Sequence, residues 1–120
     1  MKNYNEIIER QKELCKKYDI EWYASPPDIK IGISKNINDG TMPINGLRHP
    51  PENGTAGWYV WAGEYADDPN FFDPLHIEHL QEKFPMILKY LGLPPGWRFQ
   101  IDDKGYEDIW FDEKLLELKK

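Results

Sequence analysis

Cys15 is the single cysteine among 120 residues, so no intramolecular disulfide can form and zinc would lack sulfur partners. No apolar run is long enough to span a bilayer. The opening Met1-Lys2-Asn3-Tyr4-Asn5-Glu6 enters a charged helix with no apolar signal core, and a reducing, cytoplasmic location is expected. Basic charge is also short. The chain sets 15 Lys plus Arg against 21 Asp plus Glu, a net −6 that repels nucleic acid and anionic membranes. From Glu64 to Glu82 there is no Lys or Arg at all, while Glu64, Asp67, Asp68, Asp73, Glu78 and Glu82 are all acidic. A basic protein partner suits that field. Nucleophile, phosphate-loop and zinc-helix motifs are missing too, so no cofactor or metal is expected.

What the chain does have is rings. Aromatic residues make up 14%, with five Trp, enough to build a core from large side chains in one domain over residues 1–120. Asn3 with Glu6 resembles a capping box, and Ile7, Leu14, Cys15 and Tyr18 keep helical spacing to Asp19, which predicts a first helix. Ile29, Ile31 and Ile33 alternate with polar or small residues as in a half-buried strand. A second strand from Thr41 to Leu47 is expected only at an edge or as an irregular piece, because of Pro43 and Gly46, and Arg48 to Gly54 reads as a loop. Trp58-Tyr59-Val60-Trp61-Ala62 reads as a central strand, with Trp58, Val60 and Ala62 on one face and Tyr59 with Trp61 on the other.

Asp73-Pro74 looks like a helix start, carrying Leu75 to about Lys83, with a second helical piece from Pro85 to Leu91. Gly92 suits a left-handed cap, and Trp97–Ile101 and Tyr106–Phe111 read as strands joined by a hairpin at Asp102-Asp103-Lys104-Gly105. Runs of strands with helices at separate points predict an α+β fold: an antiparallel sheet packed by an N-terminal helix and a central, Pro-interrupted helical region.

His76 and His79 lie three residues apart and could share a helix face with Asp73 as metal ligands, but no further ligand has suitable spacing. Solvent-exposed histidines are the plainer reading. Glu64 with Asp67 or Asp68 could be imagined as general acid and base, yet such work needs a buried carboxyl, and a solvated acidic loop is expected instead. Between Glu64 and Asp73 the acids are interleaved with Tyr65, Phe71 and Phe72. Aromatic anchors beside steering charges make a binding patch, unless Phe71 and Phe72 merely staple the following helix.

Gly57-Trp58-Tyr59-Val60-Trp61-Ala62-Gly63-Glu64, then Asp67-Asp68-Pro69-Asn70, then Pro85-Met86-Ile87-Leu88 and the strand after Pro94-Pro95-Gly96 together resemble immunity family thirty-three of bacterial polymorphic toxin systems. The resemblance is strongest over residues 55–101, and helix one and the tail after Tyr106 look like additions to it. It implies a small cytosolic protein without catalysis that binds and neutralises a cognate toxin domain. Partner contact is expected at Trp61, Glu64, Asp67, Asp68, Phe71 and Asp73, against a basic surface. The readings from other classes are a small metal-dependent hydrolase using Asp73, His76 and His79, and a general intracellular protein-binding adaptor.

Overall fold

Helix α1 (Tyr4–Lys17) buries Ile7, Gln11, Leu14 and Cys15, the stripe that a 3.6-residue period brings to one side. The structure is a computed structural model that describes residues 4–52, 54–66, 68 and 70–117, so Asn3 of the expected capping box lies outside the described residues. Six strands follow: β1 (Lys30–Ser34), β2 (Ile44–Arg48), β3 (Thr55–Ala62), β4 (Phe72–His76), β5 (Trp97–Ile101) and β6 (Glu107–Phe111). Between β4 and β5 run a 3-10 turn (Ile77–His79), helix α2 (Leu80–Lys83) and a 3-10 helix (Pro85–Tyr90). The α+β class is borne out.

The strands form one sheet in the order β4-β1-β3-β2-β5-β6. Every pairing is antiparallel except β1 with β3, so the sheet is mixed. The cause is insertion. Strand β3 takes a place between β1 and β2, and because both β1 and β3 run opposite to β2, they run parallel to each other. Trp58, Val60 and Ala62 face the same side as Ile31, Ile33, Ile44, Phe99 and Ile101, and α1 with the central helical region covers that side.

Strand β2 is not an edge. It sits between β3 and β5, and Gly46 is what admits it, because a Cβ there would come within 2.2 Å of the Phe99 ring. The glycine read as a strand weakener makes room for a core aromatic. The expected helix start at Asp73-Pro74 is also corrected: both residues lie in β4, and helical structure begins at Ile77. Pro74 is tolerated because β4 is an edge strand whose missing N–H faces away from β1. Nor is Gly92 a left-handed cap; it is kept small by Trp22 and Gln11, whose atoms would lie 2.7 and 2.8 Å from a Cβ. The break at Pro85 and the β5–β6 hairpin are as expected, and the Asp112 side chain caps a last turn, the 3-10 helix Glu113–Leu116.

Arg48, read as the start of a loop, ends β2 and is 1% exposed. Its Nε donates to Ala56 O at 2.8 Å, its Nη1 to Leu93 O at 2.8 Å and Tyr23 O at 3.2 Å, and its Nη2 to Ala24 O at 3.0 Å. The guanidinium also lies 4.7 Å from the Tyr23 ring centroid and 5.6 Å from that of Trp58. Burial lowers its pKa to about 10, against the opposing influence of Tyr23 and Tyr4, so it stays cationic at neutral pH. One side chain thereby ties β2 to β3, to the segment before β1 and to the turn before β5.

Candidate interaction site

Neither α1 nor the central helical region packs on the second face of the sheet, which has the closing 3-10 turn at its margin and is where the rings left over from the core collect. Alternation in β3 sends Tyr59 and Trp61 there, and register places Leu47 and Asn45 of β2 beside them. Phe72 of β4 and Tyr65 and Phe71 of the connecting loop complete a cluster. Centroid distances are 5.3 Å for Tyr59–Phe72, 5.4 Å for Trp61–Tyr65, 6.0 Å for Tyr65–Phe71 and 4.9 Å for Phe71–Phe72, all edge-to-face. That geometry matches the quadrupole preference of aromatic rings. His49 adds an edge contact to Tyr59 at 5.8 Å, and its Nδ1 lies 3.2 Å from Leu115 O of the last turn.

Phe71 and Phe72 therefore pack on Tyr65 and Trp61, not on the following helix, and the staple reading fails. Trp61 is only 5% exposed, whereas Tyr65 is 58% exposed. The indole is the floor of the cluster and the tyrosine its rim. Between them and the segment after β2 runs a groove of about 520 Å³, bordered by Leu47, His49, Tyr59, Trp61, Tyr65 and Phe72.

Of the acids singled out from the sequence, Glu64 and Asp68 are exposed in the loop that carries Tyr65 and Phe71, while Asp67 lies outside the described residues. Asp68 Oδ1 accepts from Asn70 N at 2.9 Å, which shapes the turn. Asp73 projects from β4 and pairs with Lys35 at 2.7 Å, an exposed contact that neutralises it locally. Glu78 and Glu82 belong to the central helical region, which packs on the opposite side of the sheet. The acidic stretch is thus divided between the two faces, and only its first half borders the rings.

His76 ends β4 and His79 ends the 3-10 turn, so they do not share a helix face; their rings meet edge-on at 5.8 Å. Among the described residues, no three His, Cys, Asp or Glu side chains gather as a metal site would require. Cys15 is buried, and burial raises its thiol pKa, the opposite of an activated nucleophile.

A larger cleft, about 850 Å³, opens between α1, the Pro85–Tyr90 helix and the β5–β6 hairpin. None of the residues expected to bind a partner borders it, and volume alone is not chemistry. Its polar centre is Glu107, which accepts from Tyr18 and Tyr90 hydroxyls with Lys17 and Lys89 at 3.5 and 3.8 Å. Burial opposes ionisation of Glu107, but the two hydroxyls and two ammonium groups outweigh it and hold the carboxyl below its usual pKa. The same bond pushes Tyr18 up to about 12. A carboxyl lowered on folding stabilises above its unfolded pKa, and that contribution disappears as pH falls through the folded value. Glu107→Gln should accordingly lower stability at neutral pH and flatten the acid limb of a thermal-melt-against-pH curve; an unchanged acid limb would show that the cluster does not contribute.

The sequence marked Trp61, Phe71 and the loop acids but missed Tyr59, Leu47 and His49 as their neighbours. Alternation already set Tyr59 off the core face; only register could say which strand lay beside it. No helix among the described residues is long and apolar enough to cross a membrane. No curated protein and no solved structure matches the chain. A family model described as Imm33-like domain matches residues 10–112, which takes in most of α1 and all of β6 as well as the part where the resemblance was strongest.

Proposed function

The chain belongs to the Imm33-like family, and on that premise we propose that it is a non-catalytic immunity protein that binds and neutralises a cognate toxin domain in the cytoplasm. The observation that supports this most is the uncovered sheet face, where five rings form a rigid patch bordered by exposed acids. Rigid aromatic anchors lose little conformational entropy on docking, and adjacent carboxylates steer a basic surface toward them. The proposed contacts are Glu64, Asp67, Asp68 and Phe71, with Tyr65 as the exposed ring and Trp61 supporting it from below. Asp73, opposite Ile33 of β1, projects from the helix-covered side of the sheet and pairs there with Lys35, so it becomes a contact only for a partner that wraps the β4 edge.

The hydrolase alternative gains nothing from the geometry, since Asp73 is engaged with Lys35 and the two histidines diverge in secondary structure. The adaptor reading differs from immunity only in the partner.

Replacing Asp67 and Asp68 together by Lys should slow association with the toxin by on the order of tenfold at low salt, an effect that shrinks as salt screens the charges. Far-ultraviolet circular dichroism and melting should change little, because Asp68 is exposed and surface charges contribute about 0–1 kcal/mol. Tyr65→Ala should instead speed dissociation. The assay is survival of cells expressing the toxin alongside each folded variant, with binding kinetics measured in parallel. Full protection and unchanged kinetics for the Lys pair would remove this loop from the interface.

A further inference from the structure

The two edges of the sheet are built differently. On β4, Lys35 N donates to Phe71 O and Ile77 N to Ile29 O, so the inward backbone groups are those of Asp73 and Leu75, and Phe72, Pro74 and His76 face outward. Pro74, at the centre of that edge, has no N–H to offer, which blunts it against pairing. On β6, Asp112 N donates to Gly96 O at 2.7 Å and Asp102 N to Tyr106 O at 3.2 Å. With the register Arg98↔Trp110 and Gln100↔Asp108, this commits the even-numbered residues of β6 to β5. The N–H and C=O groups of Glu107, Ile109 and Phe111 therefore point outward, and among the described residues no strand pairs with them. This edge carries no Pro and no Lys; it carries Ile109, Trp110 and Phe111, the last 48% exposed.

We propose that β6 pairs antiparallel with β6 of a second copy, joining the two sheets about a two-fold axis at Ile109. The outward set is symmetric about that residue. Ile109 meets Ile109, and Glu107 meets Phe111, each as a hydrogen-bonded pair that uses the groups left free by β5. The same register keeps like charges apart. Asp108 comes opposite Trp110 of the second copy, not opposite Asp108, and Glu107 comes opposite a ring. It also brings Asp108 toward a base: the Arg98 guanidinium, which pairs with Asp112 at 3.1 Å, lies 5.5 Å over the Trp110 ring. A strand whose free groups, apolar residues and charges all suit its own reversed copy is matched to itself. The pairing sets the two uncovered faces side by side as one surface, and it holds whether or not the partner on those faces is a toxin.

Sedimentation velocity of the full chain across a concentration series should show a monomer–dimer equilibrium. Ile109→Pro removes an outward donor while leaving the ladder to β5 intact, and should weaken the dimer by at least roughly tenfold, since two central hydrogen bonds are lost. Ile109→Cys tests the register. Hydrogen-bonded antiparallel partners have Cα atoms about 5.5 Å apart, inside the range a disulfide spans, so mild oxidation should link two copies. Asp108→Cys, which faces Trp110 of the second copy, should link at least roughly tenfold more slowly. Cys15 is buried and does not compete. A monomer at every concentration up to roughly 100 µM, or equal linking at both positions, would overturn the proposal. Should Ile109→Pro fail to fold, the cysteine pair decides alone.

Discussion

Arg48→Met should destabilise the protein by about 3–5 kcal/mol, the scale on which a buried ionic group leaves its partners orphaned. Methionine keeps the length and packing of the stem but donates nothing. The carbonyls of Ala56, Leu93, Tyr23 and Ala24 would lose a charged donor inside the protein, where no water replaces it cheaply. Arg48→Lys should recover less than half of the loss. An ammonium preserves the charge, but from one point it cannot reach carbonyls that surround a planar fork. Because Arg48 remains protonated at neutral pH, the effect should be flat between pH 6 and pH 8, and the measurement is the urea midpoint at unchanged m. A midpoint shift worth under about 0.5 kcal/mol would mean that the three segments hold together without it.

Trp58→Ala should cost about 3–5 kcal/mol as well, through a different term. Trp58 is 1% exposed, packs against Phe99 at 5.6 Å and donates its indole N–H to Leu91 O at 3.2 Å. Its removal opens a cavity walled by β3, β5 and the central helical region, and strands fixed by ladders on both sides cannot close in to fill it. Trp58→Phe separates the parts. It retains most of the buried area and loses the hydrogen bond, so a cost of about 1–2 kcal/mol is expected. Equal losses for Ala and Phe would assign the whole effect to the N–H, and a small loss for Ala would show that the pocket collapses. Tryptophan fluorescence is a poor probe here, since four other indoles remain; backbone circular dichroism follows unfolding directly.

Local chemistry was enough for several elements. The apolar stripe of α1, the alternation of β1 and β3, the hairpin before β6 and the restart at Pro85 are all carried by spacings within a few residues, where side-chain period and backbone restriction act directly. Asp73-Pro74 shows where such signals stop. A capping residue followed by proline is equally at home on the outer side of an edge strand, and what decides between them is whether β1 has an unpaired side to fill. Gly46 makes the same point from the opposite direction. It weakens an isolated strand, yet becomes the residue that fits once Phe99 arrives from a strand more than fifty positions later.

By itself, then, the sequence determined the α+β class, the division of β3 into a core face and a ring-bearing face, and the acidic, aromatic character of the loop after it. Each depends on residue type at short range. Only the tertiary structure decided that β3 lies between β1 and β2, that Arg48 is a buried tie and not a loop residue, that Tyr59, Trp61, Tyr65, Phe71 and Phe72 meet on one uncovered face, and that the acids after Glu64 divide between the two sides. These follow from strand order and register, and residues far apart in the chain become neighbours through backbone pairing whose donors and acceptors are the same at nearly every position. Side-chain pattern says which way a residue faces; it does not say what will stand beside it.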